Sequence, residues 1–393
     1  MQNQPQSYRI PLYYLVTSLF WFSLYAFVPN LPIYAESLGA SNKLIGLIIS
    51  SYGFVQMVLR LPLGIYSDKI NARKRFILLG ILISVISSLG MGFFKNPWSL
   101  LIFRGLSGAA AAAWVPFTVL FASYFTDQQS TRAIGYLNAF NNLGQIAALL
   151  LGGLVISLFN SAVAPFYLAA AVGILALLLG TGIVENKTEN KPIKLLELLA
   201  VGKEPQLLIA SGLAVLLQII TFATVYGFTP LAAKNLGATQ GQISLLTTFS
   251  TFPSIFASAL SGSAPVVRFG KRKTLTLGFI MMGLSAGLIP SINNINLLYL
   301  SQIAGGFARG AVFSILMSTS IQTVGNDKKA TAMGFFQAIY GLGMFLGPII
   351  VGFISDFLNL SWGFWITGLF GIVAAFMTFC LPHLKERNSE VNY

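Results

Sequence analysis

The sequence predicts an all-α membrane protein with twelve transmembrane helices in two pseudo-symmetric six-helix bundles. Three observations predict it. The 393 residues are 55% hydrophobic and only 9% charged, with a mean hydropathy of +0.76. Ordinary globular chains carry about 25% charged residues, so the solvent here must largely be lipid. Second, the apolar stretches are long enough to cross the hydrocarbon, which takes about 20 residues as a helix. Third, the chain repeats itself. Ala133, Gly135, Ala139, Leu143, Gly144 and Gly153 answer Ala332, Gly334, Ala338, Leu342, Gly343 and Gly352 without a gap, and Ser37-Leu38-Gly39-Ala40-Ser41 answers Asn235-Leu236-Gly237-Ala238-Thr239.

Taken in order, the first half has candidate spans at 10–33, 43–66, 76–94, 98–122, 131–158 and 163–184. The first is too long for the apolar region of a signal peptide and belongs to a run of similar spans, so it is expected to be retained. Residues 185–205 are a polar linker in which Pro192 could open a short helix, with Leu195, Leu196, Leu198 and Leu199 against lipid headgroups. The second half has spans at 206–232, 241–264, 274–290, 295–320, 331–355 and 361–382. The expected domains are therefore 1–184, the linker 185–205, and 206–393. Six crossings per half start both halves on the same side, so the repeat is parallel, about an axis along the membrane normal.

A net charge of +13 invites a nucleic-acid partner, but the placement of the charge excludes one. With both termini inside, eighteen Lys and Arg lie in cytoplasmic segments, among them Lys69, Arg73, Lys74, Arg75, Lys271, Arg272 and Lys273. Only Lys43, Lys95 and Lys234 lie outside. That is the positive-inside bias, and it places both ends of a multi-pass plasma or inner-membrane protein in the cytoplasm. Cys380 is the single cysteine and His383 the single histidine. Intrachain disulfides are impossible, and neither a metal site nor a cofactor is expected.

Gly64-Ile-Tyr-Ser-Asp68-Lys69-Ile-Asn71-Ala-Arg73-Lys74-Arg75 resembles the loop signature of the major facilitator superfamily, with Asn71 where glycine is usual. Val267-Arg268-Phe269-Gly270-Lys271-Arg272 is a weaker second copy. The resemblance implies a latch at the cytoplasmic gate, made by Asp68 and the basic cluster of Lys69 and Arg73; Arg60, Gly64 and Asp68 share one helix face. Arg104-Gly-Leu-Ser-Gly108 is similar to the superfamily's intramembrane arginine signature, and Arg309 is a second buried cation. An ionised group at membrane depth is costly and should face protein or water. Gly144, Gly152 and Gly153 in the fifth span, and Gly343, Gly347 and Pro348 in the eleventh, resemble the glycine signature of the superfamily's exporters. Ala148-Leu149 replace its Gly-Pro in the first copy. Close helix packing explains these small residues equally well.

Polar side chains at membrane depth give the candidate substrate pathway: Tyr25, Tyr52, Gln56, Arg104, Asn138, Asn142, Gln145, Gln218, Thr221, Gln302, Arg309, Gln337 and Tyr340. Interhelical hydrogen bonding is the competing explanation for many of them. All eleven Asp and Glu fall in loops, tails or span ends. The interior is thus expected to be cationic and the substrate neutral or anionic. No GxxxxGK[ST] phosphate loop is present, which disfavours an ATP-driven pump. No buried acid or histidine supports an enzyme. The resemblance implies a monomeric secondary transporter of small organic molecules working by alternating access, in the efflux direction. Its partners are membrane lipid, a small-molecule substrate, and a proton or counter-substrate for coupling. Uptake or exchange of an organic anion through Arg104 and Arg309 is the alternative.

Overall fold

The computed structural model describes residues 9–185, 201–261, 269–325 and 328–380; the side chains of Asp68, Asp127, Gln128, Thr131 and Ala330 are outside the description. Most of the linker, the proposed helix after Pro192, the second loop copy as far as Arg268, and His383 therefore lie outside the described residues. The chain divides into two compact units, one of Met1–Lys194 and Thr239–Thr248, the other of Leu195–Ala238 and Phe249–Tyr393.

The first unit runs α1 (Arg9–Tyr25), α2 (Leu31–Ser37), α3 (Asn42–Lys69), α4 (Arg73–Phe93), α5 (Pro97–Ala112), α6 (Trp114–Ala122), α7 (Asp127–Phe159) and α8 (Ala164–Gly180). The second runs α9 (Pro205–Ala223), a π-helical turn (Thr224–Phe228), α10 (Thr229–Asn235), α11 (Gln240–Leu260, whose first turns belong to the first unit), α12 (Lys271–Gly287), α13 (Ile295–Ser320), α14 (Lys329–Phe357) and α15 (Leu360–Cys380). Among the described residues, nine helical stretches of at least 18 residues are apolar enough to cross a membrane. Taking each broken pair as one rod gives twelve spans. Phe93, Leu158 and Phe376 stand 72%, 68% and 68% exposed, as side chains that face lipid do.

Three expected spans prove to be broken. The stretch 10–33 turns at residues 26–30, between α1 and α2; 206–232 contains the π-helical turn; and 98–122 is interrupted at Ala113. The first two breaks are related by the sequence repeat, since 224–228 lies the same 198 residues beyond 26–30 as Asn235 lies beyond Ser37. Pro32 and Pro230, at the same spacing, each sit in the first turn of the helix that resumes. Proline lacks an N–H, and the first turn of a helix needs none there. Gly39 and Gly237 then take positive φ, +85° and +80°. Asn96 and Asn294 cap α5 and α13 alike, each side chain accepting from the backbone N–H two residues on. A side-chain acceptor there satisfies one orphan donor of the first turn. These matched terminators make the two halves copies of one design.

Candidate functional site

The fourth and tenth spans each cross a neighbour at van der Waals distance. A Cβ added to Gly108 of α5 would lie 2.3 Å from the Tyr52 carbonyl oxygen on α3. One added to Gly306 of α13 would lie 2.1 Å from that of Ser250 on α11. Gly306 and Ser250 are the repeat counterparts of Gly108 and Tyr52, so the backbone crossing is the same and only glycine fits it. The side chains around the two crossings differ.

In the first unit Arg104 is 3% exposed. Its guanidinium carbon lies 4.3 Å from the Tyr52 ring centre and 5.6 Å from that of Phe27. Its Nε and Nη1 have no hydrogen-bond partner among the described residues. Tyr25 closes the end of α1 beside Trp21, their ring centres 5.9 Å apart. Gln56, one turn along α3 from Tyr52, is also buried. Aromatic faces attract cations, worth about 2 kcal/mol when desolvated, but they do not replace a counter-charge.

In the second unit the position of Arg104 is taken by Gln302, and Arg309 lies two turns further along α13. Arg309 is 8% exposed; its Nη2 donates to the Ser250 carbonyl at 3.0 Å, and Nη1 has no partner among the described residues. Beside it is a cavity lined by Thr221, Thr224, Ser250, Ser285, Gln302 and Arg309, with Ile220, Val225, Met282 and Gly305 as its apolar remainder. Its volume of about 10 Å³ is close to what one water requires. Sequence reasoning picks out Thr221, Gln302 and Arg309. It misses Thr224, Ser250 and Ser285, although Thr224 follows Thr221 by one turn and Ser250 is the repeat partner of Tyr52. Gln218, Gln337 and Tyr340 do not line this cavity. Gln218 and Gln337 are half-buried, and Tyr340 packs its ring on Phe313 and Phe336 at 5.8 and 5.4 Å.

On α7 the polar stripe is half satisfied from within. Gln145 donates to Asn141 at 2.5 Å, while Asn138 and Asn142 are half-buried. The glycines of α7 and α14 sit where backbones meet. Added Cβ atoms would lie 2.1 Å from Ser18 O at Gly144, 1.9 Å from Ala26 O at Gly152, 2.2 Å from Val215 O at Gly343, and 2.5 Å from Ile219 O at Gly347. Gly153 meets chiefly a side chain, with Ser244 Oγ at 2.2 Å, and Pro348 lies inside α14.

At the basic end of the first unit, Gly64 faces Val115, Lys69 is exposed, and Arg60 and Arg73 are buried. The Asp68 side chain lies outside the description. Among the described side chains the carboxylate that acts here is Glu185, which sequence reasoning assigns to the linker. Its two oxygens accept from the backbone N–H groups of Arg73 and Lys74 at 3.0 and 2.7 Å, an anion on the positive end of α4. Lys74 Nζ donates to the Thr181 carbonyl at 2.6 Å, and Tyr124 donates to that of Val184. Burial pushes the Tyr124 phenol up to about 12, so it remains a donor at any physiological pH.

The sequence model of the Major Facilitator Superfamily matches residues 13–215 and again 211–392. The chain belongs to that superfamily. It is a multi-pass membrane transporter, not an enzyme, and the double match is the internal repeat seen in its helices. It is 26% identical over 368 residues to the uncharacterized MFS-type transporter MJ1560 of Methanocaldococcus jannaschii, covering 89% of this chain and 92% of that one. It is 25% identical over 351 residues to the quinolone resistance protein NorA of Staphylococcus aureus strain MRSA252, covering 84% and 85%. Among solved structures, a bacterial homolog of the human lysosomal transporter Spinster, inward-facing and occupied, superposes with a TM-score of 0.80 at 16% identity, covering 96% and 97%. The nucleoside transporter NupG gives 0.74 at 17%, covering 94% and 98%. Those two show the shared fold.

Proposed function

We propose that this transporter exports small neutral or anionic organic molecules across the cell membrane by alternating access, with both termini in the cytoplasm. The halves 1–184 and 206–393 move as bodies tethered by 185–205. Tyr25, Tyr52, Gln56, Arg104, Asn138, Asn142, Gln145, Gln218, Thr221, Gln302, Arg309, Gln337 and Tyr340 line the route, while Arg60, Gly64, Asp68, Lys69 and Arg73 gate its cytoplasmic end. The observation that carries the substrate class is a charge asymmetry. Among the described residues Arg60, Arg104 and Arg309 are buried within spans, and no Asp or Glu is buried. A cationic substrate entering such an interior meets like charge and no counter-ion, which costs several kcal/mol. The similarity to NorA, named for quinolone resistance, supports the export direction.

The test is flux in energised inside-out vesicles, with and without an imposed pH gradient. Export predicts accumulation of a neutral or anionic substrate in these vesicles, whereas accumulation only in right-side-out vesicles would establish uptake instead. Uptake or exchange of an organic anion is the second reading. The unpaired guanidinium nitrogens of Arg104 and Arg309 favour it equally, and the direction of flux separates the two.

A further inference from the structure

We propose that the cavity beside Arg309 is a binding site for one small inorganic anion of the halide class, with chloride as the physiological occupant. The cavity is too small for an organic substrate, so the proposal does not depend on the export reading, but it touches it at one point: an anion held here would neutralise Arg309 and leave Arg104 as the buried cation that weights the interior against cationic substrates.

Arginine keeps its charge at any physiological pH, and a buried ion without a counter-charge is among the most expensive features a fold can carry. Arg309 is 8% exposed, and its Nη2 donates to a neutral carbonyl, that of Ser250. Its Nη1 has no protein partner among the described residues and belongs to the side chain that lines the hollow. Among the described residues no carboxylate lines that hollow. A resident water would satisfy the Nη1 proton and leave the charge uncompensated; a halide satisfies both and is only slightly larger than water.

The lining can supply the remaining donors. The Gln302 amide carries two N–H groups. The hydroxyls of Thr221, Thr224 and Ser285 donate to the carbonyls of Leu217, Ile220 and Met282 on their own helices. Those carbonyls sit within helices, so a hydroxyl can rotate toward an anion without orphaning its former acceptor.

The repeat shows how the matching crossing of the first unit is filled instead. There the place of Ser250 is filled by Tyr52, whose ring covers Arg104 at 4.3 Å. The place of Arg309 is filled by Ala111. Serine leaves open the volume that a tyrosine ring would occupy, and the cation lies at its edge. Arg309 has an aromatic neighbour of its own, its guanidinium carbon 6.0 Å from the Tyr226 ring centre, farther than Tyr52 lies from Arg104; the anion supplies the counter-charge that neither ring provides.

The experiment uses the full-length protein purified in detergent and titrated with sodium chloride at constant ionic strength, with sodium gluconate as the balancing salt. Thermal unfolding and chloride-35 NMR line broadening are the readouts. The expected result is saturable stabilisation by about 3 °C with chloride or bromide, and line broadening that bromide competes away. Arg309→Gln should weaken the response at least ten-fold. Ser250→Tyr, which fills the hollow and keeps the guanidinium, should abolish it, whereas Lys95→Gln at an exposed lysine should leave it intact. If Arg309→Gln does not fold, wild type against Ser250→Tyr decides the matter. Equal stability in chloride and gluconate, or a chloride response that survives Ser250→Tyr, overturns the site. Neither result bears on the direction of organic flux.

Discussion

The crossing of α3 with α5 and that of α11 with α13 share one backbone design and opposite fillings. In the first, Tyr52 lies over Arg104. In the second, Ser250 takes the tyrosine's place, the cation has moved two turns along the helix to Arg309, and a hollow remains. The glycine contacts are what the duplicated halves share; the side chains that meet charge are what diverged. Backbone packing is therefore the common layer of this transporter, and chemistry is written on top of it.

The largest expected effect tests the shared layer. Gly108→Leu and Gly306→Leu each drive a side chain into the backbone of the neighbouring helix, so the helices must separate. Each should cost about 3 kcal/mol or more, read as lost folded yield and a lowered unfolding temperature in detergent. Gly212→Ala, where an added Cβ meets nothing within 4 Å, should be neutral or stabilising. Similar losses at 108 and 306 support one design; a large loss at only one would break the comparison.

Next in size is the divergent layer. Tyr52→Ser copies the second unit's filling into the first and strips Arg104 of its nearest aromatic face. The expected cost is about 3 kcal/mol, from cavity and cation–π together. In a double-mutant cycle, Arg104→Gln should cost about 1 kcal/mol less in the Tyr52→Ser background than in wild type. Additive losses would show that ring and cation do not interact.

The smallest effect concerns the basic end. Glu185→Gln keeps the shape of the cap on α4 but removes its charge and one of its two acceptors, for an expected loss of about 1 kcal/mol of which the charge-dependent part shrinks as salt is raised. A loss insensitive to salt would mean that hydrogen bonding alone holds that end.

Most of the fold is legible in the sequence because lipid allows few backbone arrangements. Apolar length locates the rods, and the repeated Leu-Gly-Ala segments fix their pairing. The breaks at 26–30 and 224–228 escape such a reading, although Pro32 and Pro230 mark them, because hydropathy continues unbroken across both. Within the hollow, Thr221, Gln302 and Arg309 can be picked out as polar groups at depth. Thr224, Ser250 and Ser285 cannot, since helical hydroxyls usually satisfy themselves on the preceding turn and leave no trace in composition. Ser250 is instructive: its meaning lies in what it lacks relative to Tyr52, and only alignment of the two halves reveals it. Glu185 reads as linker because its partners are backbone N–H groups more than 100 residues away, which no local pattern encodes.

The central claim is that an interior holding arginines and, among the described residues, no buried acid selects against cations. Its most direct measurement is the affinity of the purified transporter for a matched pair of analogues, one anionic and one cationic, of equal size and apolar area. Wild type should bind the anion at least ten-fold more tightly, and Arg104→Gln should erase most of that margin. Tighter binding of the cation by wild type would contradict the account.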